Sequence, residues 1–153
     1  MSVSADAQIC YGIWIGEDDF PWTAKKYHYG IDDWWLEETG WEPPCKIFDS
    51  SGNWLNGEKP KQSIVDEYFA SKNKWRNNHP LPVEEVNAGS CDAPSWILAV
   101  PGTLVSVELG CPEKIYPDQF TVDSKKLEAF NAFCEKYGFD EELSWHISAY
   151  SDA

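Results

Sequence analysis

Hydrophobic and polar positions recur along this chain with two different periods. From Ile9 to Ile15, the residues Ile9, Tyr11, Ile13 and Ile15 alternate with Cys10, Gly12 and Trp14, a period of two that predicts a strand. Between Pro60 and Asn77 the period lengthens to that of a helix. Ile64, Val65, Tyr68, Phe69 and Trp75 fall on one side, and Asp66, Glu67, Lys72 and Lys74 on the other. A second long helix is predicted over Ser124 to Tyr137, with Asp123 as its N-cap and Gly138 as its stop. Its core stripe is Leu127, Phe130, Phe133, Cys134 and Tyr137. A short helix over Asp33 to Thr39 is predicted between the cap Asp32 and Gly40.

The remaining apolar runs read as strands. They are Lys46 to Asp49, Pro82 to Val86, Ser95 to Val100, Leu104 to Leu109 and Trp145 to Tyr150. Turns at Ser51-Gly52-Asn53, Asn56-Gly57 and Pro101-Gly102 punctuate them. Strands and helices do not alternate regularly. That order favours an α+β fold: a mainly antiparallel sheet of about five strands packed against two longer helices and one short helix. With no linker-like tract, residues 1–153 are expected to form one compact domain.

Charge changes the picture. The chain holds 26 acidic residues against 12 basic ones, a formal charge of −14, yet 15% of it is aromatic, including nine tryptophans. Strong acidity with few aromatics would indicate a disordered chain. Here the aromatics supply a core, and the expected product is a folded module with a negative surface and a basic partner. Direct binding to nucleic acid is disfavoured, because it requires Lys and Arg to displace counterions. The acids concentrate in the outer thirds, with balances of −7, −1 and −6 over residues 1–50, 51–100 and 101–153. Termini lying close together would bring the two acidic thirds to one face.

No apolar run approaches the roughly 20 residues of a membrane span, and the first residues lack the basic and apolar regions of a secretory signal. Cytoplasmic location is expected. Five cysteines (Cys10, Cys45, Cys91, Cys111 and Cys134) are odd in number and irregularly spaced, so most are expected to be buried free thiols.

The segment richest in candidate chemistry runs from Trp14 to Trp41. Its expected partner-binding residues are Glu17, Asp18, Asp19, Trp22, Asp32, Asp33, Trp34, Glu37 and Glu38: aromatic anchors ringed by carboxylates. On the short helix, Ile31, Trp34, Trp35 and Leu36 cover an arc near 200°. At least one of Trp34 and Leu36 is therefore expected to reach the domain edge. The alternative is a solvated acidic face over a tryptophan-rich core.

Catalytic and metal motifs are missing from the sequence. His28, His79 and His146 are far apart, no zinc spacing occurs, and Glu84-Glu85 would point to opposite faces of a strand. A non-catalytic protein with no cofactor is expected. A small-molecule binder remains an alternative, in which aromatic rings stack on a nucleobase and Arg76, Lys72, Lys74, Lys59 and Lys61 meet its phosphates.

The segments Cys10-Tyr11-Gly12-Ile13, Asp19-Phe20-Pro21-Trp22, Ile31-Asp32-Asp33-Trp34-Trp35, Ile97 to Gly102 and Phe133 to Gly138 resemble small accessory proteins of tailed phages. The resemblance implies an inhibitor of a basic, nucleic-acid-binding host defence effector, such as a CRISPR nuclease, and assigns no residue a role. A sponge for a nucleotide immune signal and a toxin-neutralising immunity protein are the alternative functions.

Overall fold

The protein is described by a computed structural model covering residues 4–90, 93–108 and 110–152. The fold is α+β, and among the described residues it has an antiparallel five-stranded sheet and three α-helices. The chain divides into two compact units, one formed by residues 1–18 with 82–153 and the other by residues 19–81.

The first unit is built on β1 (Ser4–Gly16), which is longer at its start than its apolar alternation predicts. One edge of β1 pairs along nine positions with β5 (Ser144–Asp152), from Ser4 opposite Asp152 to Gly12 opposite Ser144. The other edge is shared. Asp6 to Ile9 pair with β4 (Val105–Glu108), and Gly12 to Gly16 pair with β3 (Trp96–Ala99), which in turn pairs with β2 (Glu84–Asn87).

Alternation divides the sheet into two faces. On one, Cys10, Val86, Ile97 and Ala99 form a buried cluster against which Ala88 and Leu104 pack. Gly12 permits the close approach of β1 to β3. A Cβ there would fall on the Leu98 carbonyl and lie 2.7 Å from the Ala99 Cα. Helix α3 (Ser124–Tyr137) completes the unit as predicted. The Asp123 carboxylate accepts the amides of Lys125 and Lys126 at 3.0 Å, and Gly138 closes the helix in the left-handed conformation. Its buried residues are Phe130, Phe133 and Cys134.

In the second unit, α1 (Ile31–Glu38) starts two residues earlier than expected. Gly30, with φ of 60°, is the N-cap, and Asp32 stands inside the first turn rather than capping it. The carboxylate of Asp33 instead accepts the Tyr29 amide at 3.0 Å. The expected strand at Lys46 to Asp49 reduces to a single bridge between Phe48 and Trp54, whose rings stack at 4.9 Å. Helix α2 (Gln62–Asn78) is rotated from the expected register: Val65 and Lys72 are its buried residues, while Ile64 and Phe69 are exposed.

Of the four described thiols two are buried, those of Cys10 and Cys134; Cys45 is half-buried and Cys111 exposed. Cys91 and Leu109 lie outside the described residues. Among the described residues no helix is long and apolar enough to cross a membrane.

Candidate functional site

The acidic helix α1 is held from several directions within its unit. Trp34 packs against Trp22 of the turn Pro21–Thr23, with ring centroids 5.1 Å apart. The indole of Trp35 donates to the His79 carbonyl at 3.0 Å, and that of Trp75 donates to the Thr39 hydroxyl at 2.9 Å. These contacts bury Ile31, Trp34 and Leu36 together. The expectation that Trp34 or Leu36 reaches an edge is therefore overturned: both are buried, and it is Trp35 that is only half-buried. Trp22 and Trp34, both expected as partner-binding anchors, are 2% and 3% exposed and belong to the core. Exposed aromatic surface among the described residues lies elsewhere, at Tyr29 and Phe69 in this unit and at Trp14, Tyr116 and Phe120 in the sheet-bearing unit.

The carboxylates of the segment have unequal circumstances. Asp32, Glu37 and Glu38 are exposed on α1, and Asp19 is exposed ahead of it. Glu37 pairs with Lys26 at 3.0 Å, and that contact holds its carboxyl below the usual range. Asp33 is largely withdrawn from water and faces Lys72 at 3.8 Å. Glu17 and Asp18, also exposed, belong to the sheet-bearing unit. The nine expected residues are thus divided: two acids with the sheet, and five acids and two buried indoles in the helical unit.

Counting charge by structural unit relocates the acidity. Residues 19–81 hold ten acids and eight bases, a balance of −2. Residues 1–18 with 82–153 hold sixteen acids and four bases, a balance of −12. The pairing of β1 with β5 does bring the terminal strands together, but the acids between Asp19 and Asp49 are not part of that unit. Exposed carboxylates of the sheet-bearing unit include Glu113, Glu128, Glu135, Asp140, Glu141 and Glu142. The signal was present in the sequence: all the bases from Lys25 to Arg76 fall within residues 19–81. Windows of equal length cut across that boundary and concealed it.

The basic residues considered for phosphates are also distributed differently than expected. Lys72 turns inward to Asp33, and Arg76 is half-buried, while Lys59, Lys61 and Lys74 are exposed. A cavity of about 510 Å³ lies in the sheet-bearing unit, lined by Gln8, Leu104, Ser106, Val107, Glu108, Cys111 and Glu113. Among the described residues two carboxylates and no base line it, and their like charge opposes a phosphate there.

The histidines serve local hydrogen bonds. His146 Nε2 lies 3.0 Å from the Gly12 carbonyl and 3.2 Å from the Ser144 hydroxyl, and the ring of His79 stacks on Trp75 at 4.1 Å. Among the described residues, no three His, Cys, Asp or Glu side chains converge as a metal site.

Comparison with protein-family models, with curated protein sequences and with solved structures gives no match for this chain.

Proposed function

We propose that this chain is a non-catalytic inhibitor that binds a basic, nucleic-acid-binding effector through its sheet-bearing unit. The observation that carries this reading is the balance of sixteen acids against four bases in that unit. A cleft built for nucleic acid presents Lys and Arg to phosphates. Carboxylates on an ordered scaffold compete for the same cations, and their summed field steers the encounter. The resemblance to phage accessory proteins suggests the class of effector, a host defence nuclease of the CRISPR type.

The test is binding of the full chain to a panel of purified CRISPR effectors and other basic nucleases, with acidic proteins as controls, at low and high salt. The expected result is binding to a basic member that blocks its DNA cleavage and weakens as salt rises. Reversal of Asp140, Glu141 and Glu142 to lysine is expected to slow association by about tenfold or more. Reversal of Asp32 and Glu38, in the nearly neutral unit, is expected to do less. Lack of binding throughout the panel, or an affinity indifferent to salt, rejects the reading.

A further inference from the structure

We propose that β5 is a dimerisation edge, and that two copies of this chain join by antiparallel pairing of β5 with β5 about a two-fold axis near Ile147. One edge of β5 is occupied by β1 over nine consecutive pairs. Among the described residues, no backbone hydrogen bond joins its other edge to any segment. Such an edge is ordinarily protected by Lys, Pro, a bulge or an inward charge. None of these is present from Ser144 to Ser151, a stretch that also contains no Asp, Glu or Arg.

The sheet face beside this edge is apolar. Ile147 lies opposite Ile9, which lies opposite Val105; Ala149 lies opposite Ala7, which lies opposite Val107. Directly opposed residues share a face, so these six side chains form one uncharged strip across β4, β1 and β5. Ile147 is 80% exposed, and Ala7 and Ala149 are exposed with it. In a unit with a balance of −12, this strip offers a basic partner no carboxylate. With the axis near Ile147, the acids that flank this stretch, Glu142 and Asp152, come opposite one another, so like charges of the two copies meet at the two ends of the pairing and not along its apolar middle.

A second copy fits the edge because antiparallel pairing about a two-fold axis is self-complementary. Each β5 supplies the donors and acceptors that the other lacks. With Ile147 near the axis, Trp145 of one copy comes opposite Ala149 of the other, a large side chain against a small one. The two apolar strips then join into a band across six strands.

Sedimentation equilibrium of the full chain, over a range of protein and salt concentrations, tests this. The expected result is a monomer–dimer equilibrium that shifts toward dimer as salt rises, because screening reduces repulsion between copies. This is the opposite salt response from that of a basic partner. Ile147→Lys is expected to weaken the dimer about tenfold or more, and Ile147→Thr, which preserves β-propensity, to weaken it less. Both variants are expected to retain the far-ultraviolet circular dichroism of the parent. A monomer at every concentration, or a dimer indifferent to both substitutions, overturns the proposal. Either result leaves the reading of a basic partner standing on its own test.

Discussion

The ammonium of Lys72 lies 3.8 Å from the carboxylate of Asp33, and their side chains are only 11% and 20% exposed. Burial pushes the Lys72 pKa below its usual 10.5, and the negative charge of Asp33 opposes that shift. Lys72 also lies over the ring of Tyr29, whose amide is held by the same carboxylate. A position that helical periodicity assigns to solvent thus ties α1 to α2.

Removing one partner strands the other. Asp33→Asn is expected to destabilise the protein by about 3 kcal/mol, the lower end of the cost of an uncompensated buried charge. Chemical denaturation measures it, and adding Lys72→Met should restore most of the loss. Asp33→Lys would set a second ammonium against Lys72, so charge tests of α1 must spare this residue. The pair between Lys26 and Glu37 is a contrasting case. It is 61% and 58% exposed, and Lys26→Ala is expected to leave the unfolding midpoint unchanged.

Stability should fall in alkali. Burial, reinforced by the charge of Glu84, raises the Cys10 thiol from 9.0 to about 11; burial and Glu141 raise Cys134 to the same value. Between those pH values the unfolded chain releases protons that the folded chain keeps. The thiol contribution is therefore fully present below pH 9 and lost as pH rises through 11. Tyr68, raised mainly by burial, acts in the same direction. Lys72 acts against it, since below 10.5 the unfolded chain holds a proton that the folded chain binds less tightly. Denaturation midpoints across this range should decline in the parent and decline less in a Cys10→Ala, Cys134→Ala variant. Equal slopes would exclude the thiols as the cause.

Gly12 is expected to be intolerant of any side chain. Its missing Cβ is what lets β1 meet the Leu98–Ala99 backbone of β3, and neither backbone atom can yield as a flexible side chain would. Gly12→Ala should cost about 3 kcal/mol, the upper end of ordinary overpacking. Thermal unfolding gives the number, and a loss near zero would mean that the two strands separate easily.

Local signals were legible where the atoms that satisfy them are also local. Asp123 and Gly138 bracket α3 because a carboxylate reaches amides two and three residues ahead, and glycine accepts a positive φ. At α1 the same reasoning chose Asp32 over Gly30, because an aspartate has a capping oxygen and the preference of the backbone at Gly30 left no sign in the pattern. The candidate site was legible only in outline. Its carboxylates are exposed except for Asp33, but its tryptophans are not, because Trp22 and the α2 residues that cover α1 arrive from other parts of the chain.

The sequence by itself determined the periods of the elements, the caps of α3, the α+β class and the total charge of −14. Each depends on the composition of the chain or on residues within a turn or two of one another. Only the tertiary structure decided that Lys72 would face Asp33, that Trp34 and Leu36 would both be buried, and that the excess charge would fall to the sheet-bearing unit. The first two depend on contacts among separate segments of residues 19–81, and the third on the pairing of β1 with β5, which gathers residues 1–18 and 82–153 into one unit. Burial and charge balance belong to neighbours in space, and distance along the chain does not specify them.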